Sequence, residues 1–263
     1  MLEQIVLGTI QGIAEWLPVS SEGLIILIKS NFFSQAALTE NIRQALFLHL
    51  GTFLAALIYF RKDVISLVAA VFNFKKSNLE TKKLFWFLAS ATLVSGILGF
   101  TLLKVFSNLE EQLFLSAKVV TLVIGLLLLL TGWLQLRAKT DGVRQVKNLN
   151  GKDGILLGII QGFSALPGLS RSGLTVSALL LKRFDGAAAL RISFLMSLPI
   201  VLAGNIVLNF GQFNFSQEAL AGLAFSFVFG ILTIGALLKL ARRINFGYFI
   251  LVFGILVVIS VFV

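Results

Sequence analysis

The stretch Gln11-Gly-Ile-Ala-Glu-Trp-Leu-Pro-Val-Ser-Ser-Glu-Gly23 sets a carboxylate, two adjacent hydroxyls, a proline and glycines inside an otherwise apolar segment. Polar groups in such surroundings cost several kcal/mol each unless they find partners. The chain writes a relative of this stretch a second time, as Gln161-Gly-Phe-Ser-Ala-Leu-Pro-Gly-Leu-Ser-Arg-Ser-Gly173. The approaches are shared too: Ile5-Val-Leu-Gly-Thr-Ile-Gln-Gly12 and Ile155-Leu-Leu-Gly-Ile-Ile-Gln-Gly162 agree at six of eight positions. Ser20 aligns with Ser170, and Gly23 with Gly173, without a gap. Two Gln-Gly pairs followed by Ser and Gly at one fixed offset read as a duplication. The expected arrangement is one membrane domain over residues 1–263, with a first repeat over about 1–136 and a second over about 150–263.

Composition narrows the class. Charged residues make up 13% of the chain and hydrophobic ones 57%, with a mean hydropathy of +0.96, whereas a soluble domain carries about 25% charged residues. The chain reads as an integral membrane protein with no soluble domain between its spans. The absence of cysteine excludes disulfides and thiolate chemistry, and a single histidine, His49, excludes a histidine-rich metal site. The net charge of +10 reads as a positive-inside bias rather than as a nucleic-acid surface, so no nucleic-acid partner is expected. The N-terminus has no basic run ahead of its apolar segment, and no cleaved signal peptide is expected.

Leu2–Trp16 is shorter than the roughly 20 residues a crossing helix needs, and Pro18 and Gly23 break the apolar run beyond it. Residues 1–30 therefore read as a re-entrant helix-loop-helix with Pro18–Glu22 at membrane depth, where irregular backbone survives only against protein or a water-filled cavity. Residues 31–41 read as a loop. Residues 153–182 repeat the re-entrant pattern, with Ile155–Leu166, a Pro167–Ser172 loop and Leu174–Leu181. Full spans are expected at Ile42–Phe60, Leu84–Leu103, Leu113–Leu136, Ala187–Asn209 (kinked at Pro199), Ala219–Leu238 and Phe246–Val263, with Val64–Phe72 in the interface. The predicted fold class is thus all-α integral membrane: six transmembrane helices plus two re-entrant hairpins in an inverted-topology repeat. This topology puts sixteen of the 22 lysines and arginines on one side, taken as the cytoplasm. Three crossings separate the hairpins, so they enter from opposite faces and their loops can meet near the midplane. Glu15, Ser20, Ser21 and Glu22 would then face Ser170, Arg171 and Ser172.

Arg171 in a membrane segment suits an anion, above all phosphate; its plainer role is an ion pair with Glu15 or Glu22. Gly168 and Gly173 let backbone approach a ligand, and a helix starting near Ser172 would offer its N–H groups. Glu15 fits a divalent-cation ligand or a general base. Ser20 and Ser21 offer a nucleophile, or simply helix caps. Gln11 suits a neutral metal or phosphate contact, or an interhelical hydrogen bond. His49 reads first as a packing histidine and second as a catalytic one, and Arg191 first as a residue that snorkels to the cytoplasmic surface and second as a ligand-headgroup contact.

At these loops the sequence resembles the undecaprenyl-diphosphate phosphatases of the bacitracin-resistance type. That family carries Glu/Gln-x-x-x-Glu leading into Pro-Val-Ser-Ser-x-Gly-His, and later Pro-Gly-x-Ser-Arg-Ser-Gly. Here the first motif stands as Gln11-Gly-Ile-Ala-Glu15-Trp-Leu-Pro-Val-Ser-Ser-Glu-Gly-Leu24, and the second is complete from Pro167 to Gly173. The resemblance implies hydrolysis of a polyprenyl diphosphate lipid to its monophosphate, recycling the lipid carrier of cell-wall synthesis. It further implies a multi-pass protein of the cell (cytoplasmic) membrane among membrane lipids, a site facing the outside, and a divalent cation, Mg2+ or Ca2+, held by Glu15 and Gln11. A homodimer is compatible with it. By the same resemblance Glu15, Ser21 and Arg171 would be catalytic, as carboxylate, nucleophile or phosphate contact, and phosphate clamp. Gln11, Ser20, Glu22, Gly168, Ser170, Ser172 and Gly173 would line the substrate. Two positions depart from the pattern. Leu24 falls on the family's histidine and cannot shuttle a proton, which would move an acid–base role to Glu15 or Glu22. Glu22 falls where a small hydroxylated residue is usual. The alternative these departures suggest is a non-hydrolytic relative that binds or transports a polyprenyl phosphate or another small anion.

Overall fold

The computed structural model describes residues 1–33, 38–113, 117–138, 142–166, 168–209, 216–241 and 245–262. Pro167 of the second loop, and the basic residues Lys139, Arg242 and Arg243 used in the topology argument, lie outside the described residues.

Both polar stretches form helix-loop-helix hairpins. The first pairs α1 (Leu2–Ala14) with α2 (Ser21–Phe32). Then come α3 (Leu38–Tyr59), α4 (Arg61–Asn73), α5 (Leu79–Leu113) and α6 (Ala117–Arg137). The second hairpin pairs α7 (Gly151–Phe163) with α8 (Arg171–Leu181). The chain closes with α9 (Gly186–Asn209), which carries Pro199 inside it, α10 (Gln217–Ala241) and α11 (Gly247–Ile259). The duplicated Ser and Gly have one local cause. Ser20 Oγ accepts from the Gly23 N–H at 3.3 Å, and Ser170 Oγ accepts from the Gly173 N–H at 3.0 Å. Each serine is the N-cap of the second helix of its hairpin and satisfies one of that helix's orphan donors.

By length and composition four helices can cross a membrane, α3, α5, α9 and α10; the apolar parts of α6 and α11 are shorter. α5 runs well past the expected Leu84–Leu103. Its ends carry Glu80, Lys82, Lys83 and Lys104, which a hydropathy window rejects but a helix accommodates. Apolar side chains such as Leu93, Ile97, Leu232 and Val252 stand exposed on α5, α10 and α11, a surface suited to lipid. On α4, Ile65, Val68, Val71 and Phe72 are likewise uncovered.

α1 packs on α10 and α7 on α5, while α3 meets α9 and α10, and α6 meets α11. The first two pairs close on stripes of small residues, which let backbones approach without a side chain between them. A Cβ on Gly12 would come 2.7 Å from the Ser226 carbonyl oxygen, and one on Gly158 would come 2.8 Å from that of Ala91. At the start of α7 the fully buried Asp153 is held by Arg144 at 2.7 Å and Lys182 at 2.8 Å. It also completes a capping box with Asn150, so one carboxylate ties the 142–150 segment to both helices of the second hairpin. Arg191, expected to snorkel, instead pairs with Asp63 and with Glu80 (3.3 Å), fastening α9 to α4 and α5. Asp153→Ala should cost about 3 kcal/mol, the low end for breaking a buried pair because both cations are partly exposed. Thermal unfolding in detergent should show a lowered midpoint.

Candidate active site

Glu15, at the end of α1, is the hub where the two hairpins meet. Its Oε1 accepts from the Arg171 guanidinium at the start of α8. Its Oε2 accepts from Ser21 Oγ at 2.9 Å and from Gln11 Nε2, one helical turn back, at 3.0 Å. His49 Nε2 of α3 lies 3.2 Å from the same oxygen. The Arg171–Glu15 pair is buried, with side chains 15% and 8% exposed. A pair so deep persists only when its remaining hydrogen-bonding groups are satisfied. Arg171 Nη1 accordingly donates to the Ser193 carbonyl at 3.1 Å, and its guanidinium lies 5.5 Å from the centroid of the Phe194 ring. These contacts engage two of the five N–H donors of an arginine.

The loops are pinned as firmly as the side chains. Trp16 Nε1 donates to the Gly230 carbonyl at 3.1 Å, Gln135 Nε2 to the Pro18 carbonyl at 2.7 Å, and Ser172 Oγ to the Leu17 carbonyl at 3.2 Å. Gly168 takes a φ of +97°, a left-handed conformation natural to glycine, where the loop turns against Ile124.

Around the hub is a small polar cavity of about 40 Å3, walled by Glu15, the first residues of α2 (Ser20, Ser21, Glu22) and those of α8 (Ser170, Arg171, Ser172). Two helix N-termini therefore open on one space, each presenting N–H groups and a positive dipole end. Beside it runs an apolar groove of about 490 Å3 between α3, α5, α7 and α9. Ile42, Leu46, Phe100 and Val207 are among its walls, and Glu22, His49 and Arg171 stand where it reaches the polar end.

Most residues predicted for the site converge here. Gln11 sits fully buried behind Glu15, and its Oε1 has no hydrogen-bond partner. Gly168 and Gly173 do not line the cavity. A Cβ on Gly173 would come 2.7 Å from Gln135 Nε2, so this glycine gives α8 its close approach to α6. Sequence reasoning ranked His49 as a packing residue ahead of a catalytic one, and missed Ser193 and Phe194. A signal for His49 was present: it and Thr52 lie three residues apart in one span, so two polar groups share a helix face.

Residues 4–259 match the family described as bacitracin resistance protein BacA. The chain belongs to the BacA family. Among its relatives, a protein of Methanococcoides burtonii named undecaprenyl-diphosphatase is 42% identical over 265 residues, covering 99% of this chain and 98% of its own. A second of that name from Haloarcula marismortui is 38% identical over 97% of this chain and 94% of its own. A third, from Moorella thermoacetica, is 34% identical over 98% and 97%. The BacA resemblance drawn from the two loops thus extends along nearly the whole chain.

Proposed function

We propose that this membrane protein hydrolyses undecaprenyl diphosphate, or a closely related polyprenyl diphosphate, to the monophosphate and inorganic phosphate, recycling a lipid carrier of cell-wall synthesis. The observation that carries the reading is the placement of Ser21, Glu15 and Arg171 where two helix N-termini open on a polar cavity at the head of an apolar groove. A prenyl chain matches the groove and a diphosphate matches its polar end. The relatives' shared name agrees with a phosphatase and does not favour the binding-only alternative.

In this reading Ser21 Oγ attacks the terminal phosphorus and gives its proton to Glu15 Oε2, 2.9 Å away. The bond from that phosphorus to the bridging oxygen breaks, and prenyl monophosphate leaves. Water then attacks the phosphoserine, inorganic phosphate departs, and Glu15 returns the proton to Ser21. Arg171 and the N–H groups at the starts of α2 and α8 stabilise the charge on the phosphoryl oxygens. A divalent cation, Mg2+ or Ca2+, fits the available donors. These are hard oxygens: the Glu15 and Glu22 carboxylates and the buried, unpartnered Gln11 Oε1. Among the described residues no three His, Cys, Asp or Glu side chains are placed to hold a metal ion by themselves, so substrate phosphate oxygens would have to contribute. When bound, the cation would neutralise charge on the diphosphate.

The same reading adds α6 and α11 to the four long helices to make six spans, and places the hairpins as re-entrant elements of a single two-repeat domain, with α4 in the interface. The paired contacts support it: α1 of the first repeat packs on α10 of the second, as α7 of the second packs on α5 of the first. The family membership supports the cytoplasmic membrane, and a site open to the outside is supported by the groove, whose walls Ile42, Phe100 and Val207 lie at the ends of α3, α5 and α9 away from the basic loops.

The test is phosphate release by the purified protein with undecaprenyl diphosphate, farnesyl diphosphate and inorganic pyrophosphate, each with Mg2+, Ca2+ or chelator. Because tail binding positions the diphosphate, kcat/KM should fall from the first substrate to the third, by about 10²-fold or more overall. Turnover should cease in chelator. Equal turnover of pyrophosphate would sink the role of the groove.

A further inference from the structure

We propose that His49 is a positioning residue of this site, reaching Glu15 from α3 while Leu24 occupies the first-motif histidine position; this rests on the phosphatase reading. Leu24, at the expected histidine position, packs into an apolar cluster with Ala14, Ile42 and Ile124 and lines neither the cavity nor the groove. His49 lines both.

Its ring is fixed at two ends. Nδ1 lies 2.7 Å from the Ala45 carbonyl, one turn back on α3. A carbonyl oxygen only accepts, so Nδ1 carries a hydrogen. Nε2 lies 3.2 Å from Glu15 Oε2. The ionised carboxylate also only accepts, so Nε2 donates to it, and a ring that donates at both nitrogens is the imidazolium. One turn of α3 thereby faces one turn of α1. Thr52 Oγ1 accepts from Gln11 Nε2 at 3.4 Å, and His49 donates to Glu15. Glu15 is held from three directions: Arg171 on one oxygen, and His49 and Gln11 on the other, the oxygen that Ser21 reaches. Without His49, Gln11 alone holds that oxygen toward Ser21 against the pull of Arg171 on the other. A misplacement of about 1 Å at a reacting group costs about 10²-fold in rate.

The function assigned to His49 is a fixed hydrogen-bond donor, which a glutamine amide of similar reach can reproduce and a leucine cannot. For undecaprenyl diphosphate, His49→Leu should lower kcat about 10²-fold while KM moves no more than about threefold. His49→Gln should stay within about tenfold of the native kcat. A His49→Gln variant that falls as far as His49→Leu would overturn the inference, as would a His49→Leu variant with native kcat. The contact is also read without turnover, by a double-mutant cycle in thermal unfolding with Glu15→Gln. His49→Leu should shift the melting temperature of the native protein and leave that of the Glu15→Gln background nearly unchanged. Additive shifts would overturn the inference. A native protein that releases no phosphate yet shows this coupling would defeat the phosphatase reading alone.

Discussion

Glu15→Gln should reduce phosphate release from undecaprenyl diphosphate about 10³-fold, with KM changed far less. Loss of a general base removes about 10²–10⁴ in rate, and Glu15 is the carboxylate in contact with Ser21 Oγ. An uncharged amide cannot take the serine proton, and in either orientation its NH2 end is set against donors, Arg171 on one side or Gln11 and His49 on the other. A 10³-fold loss corresponds to about 4 kcal/mol of transition-state stabilisation. Breaking the buried pair also destabilises the fold, so kcat is to be compared on protein shown by size exclusion and melting to be folded. A folded Glu15→Gln enzyme within tenfold of native kcat would remove Glu15 from the chemistry.

Arg171→Lys should be nearly as damaging, with kcat/KM down about 10²–10³-fold, the scale of losing one preorganised oxyanion donor. The substitution keeps the charge and loses the fork. Arg171 reaches Glu15 with one nitrogen and the Ser193 carbonyl with another while lying beside the Phe194 ring. An ammonium cannot hold that geometry and present further donors to a phosphate. KM should rise along with the fall in kcat, because a phosphate clamp acts on bound substrate and on the transition state alike. Native kcat/KM in Arg171→Lys would mean that charge alone suffices.

Much of the site was legible because it is written twice. The Ser-x-x-Gly offset that marked the duplication is the helix cap of α2 and of α8. An arginine between two serines in an apolar setting announced its own buried partner. The helical class was legible from hydropathy, and helix limits were read less well wherever polar residues continue a helix, as at both ends of α5. His49 carried one sign of a polar contact, Thr52 three residues on, and no sign of its partner. Leu-His-Leu-Gly-Thr places it on a helix, and its contact with Glu15 depends on how α3 is rotated against α1, which the packing of α3 on α1, α2, α9 and α10 decides. The packing of α1 on α10 and of α7 on α5 did have a trace in the sequence: Gly8 and Gly12, Gly154, Gly158 and Gly162, and Gly222, Ser226 and Gly230 recur at intervals of four. A small residue every four positions marks a helix face built for close approach. Gly168 and Gly173, expected beside the ligand, serve the turn and the packing of α8 instead, a distinction that composition alone does not make.

The central claim is that this chain splits a prenyl-linked diphosphate at the cavity around Glu15. The most direct measurement is product analysis after incubating the purified, detergent-solubilised protein with undecaprenyl diphosphate and Mg2+. The account predicts undecaprenyl monophosphate and inorganic phosphate in equal amounts, over many turnovers, with Glu15→Gln inactive beside it. Recovery of intact diphosphate from folded native protein would contradict it.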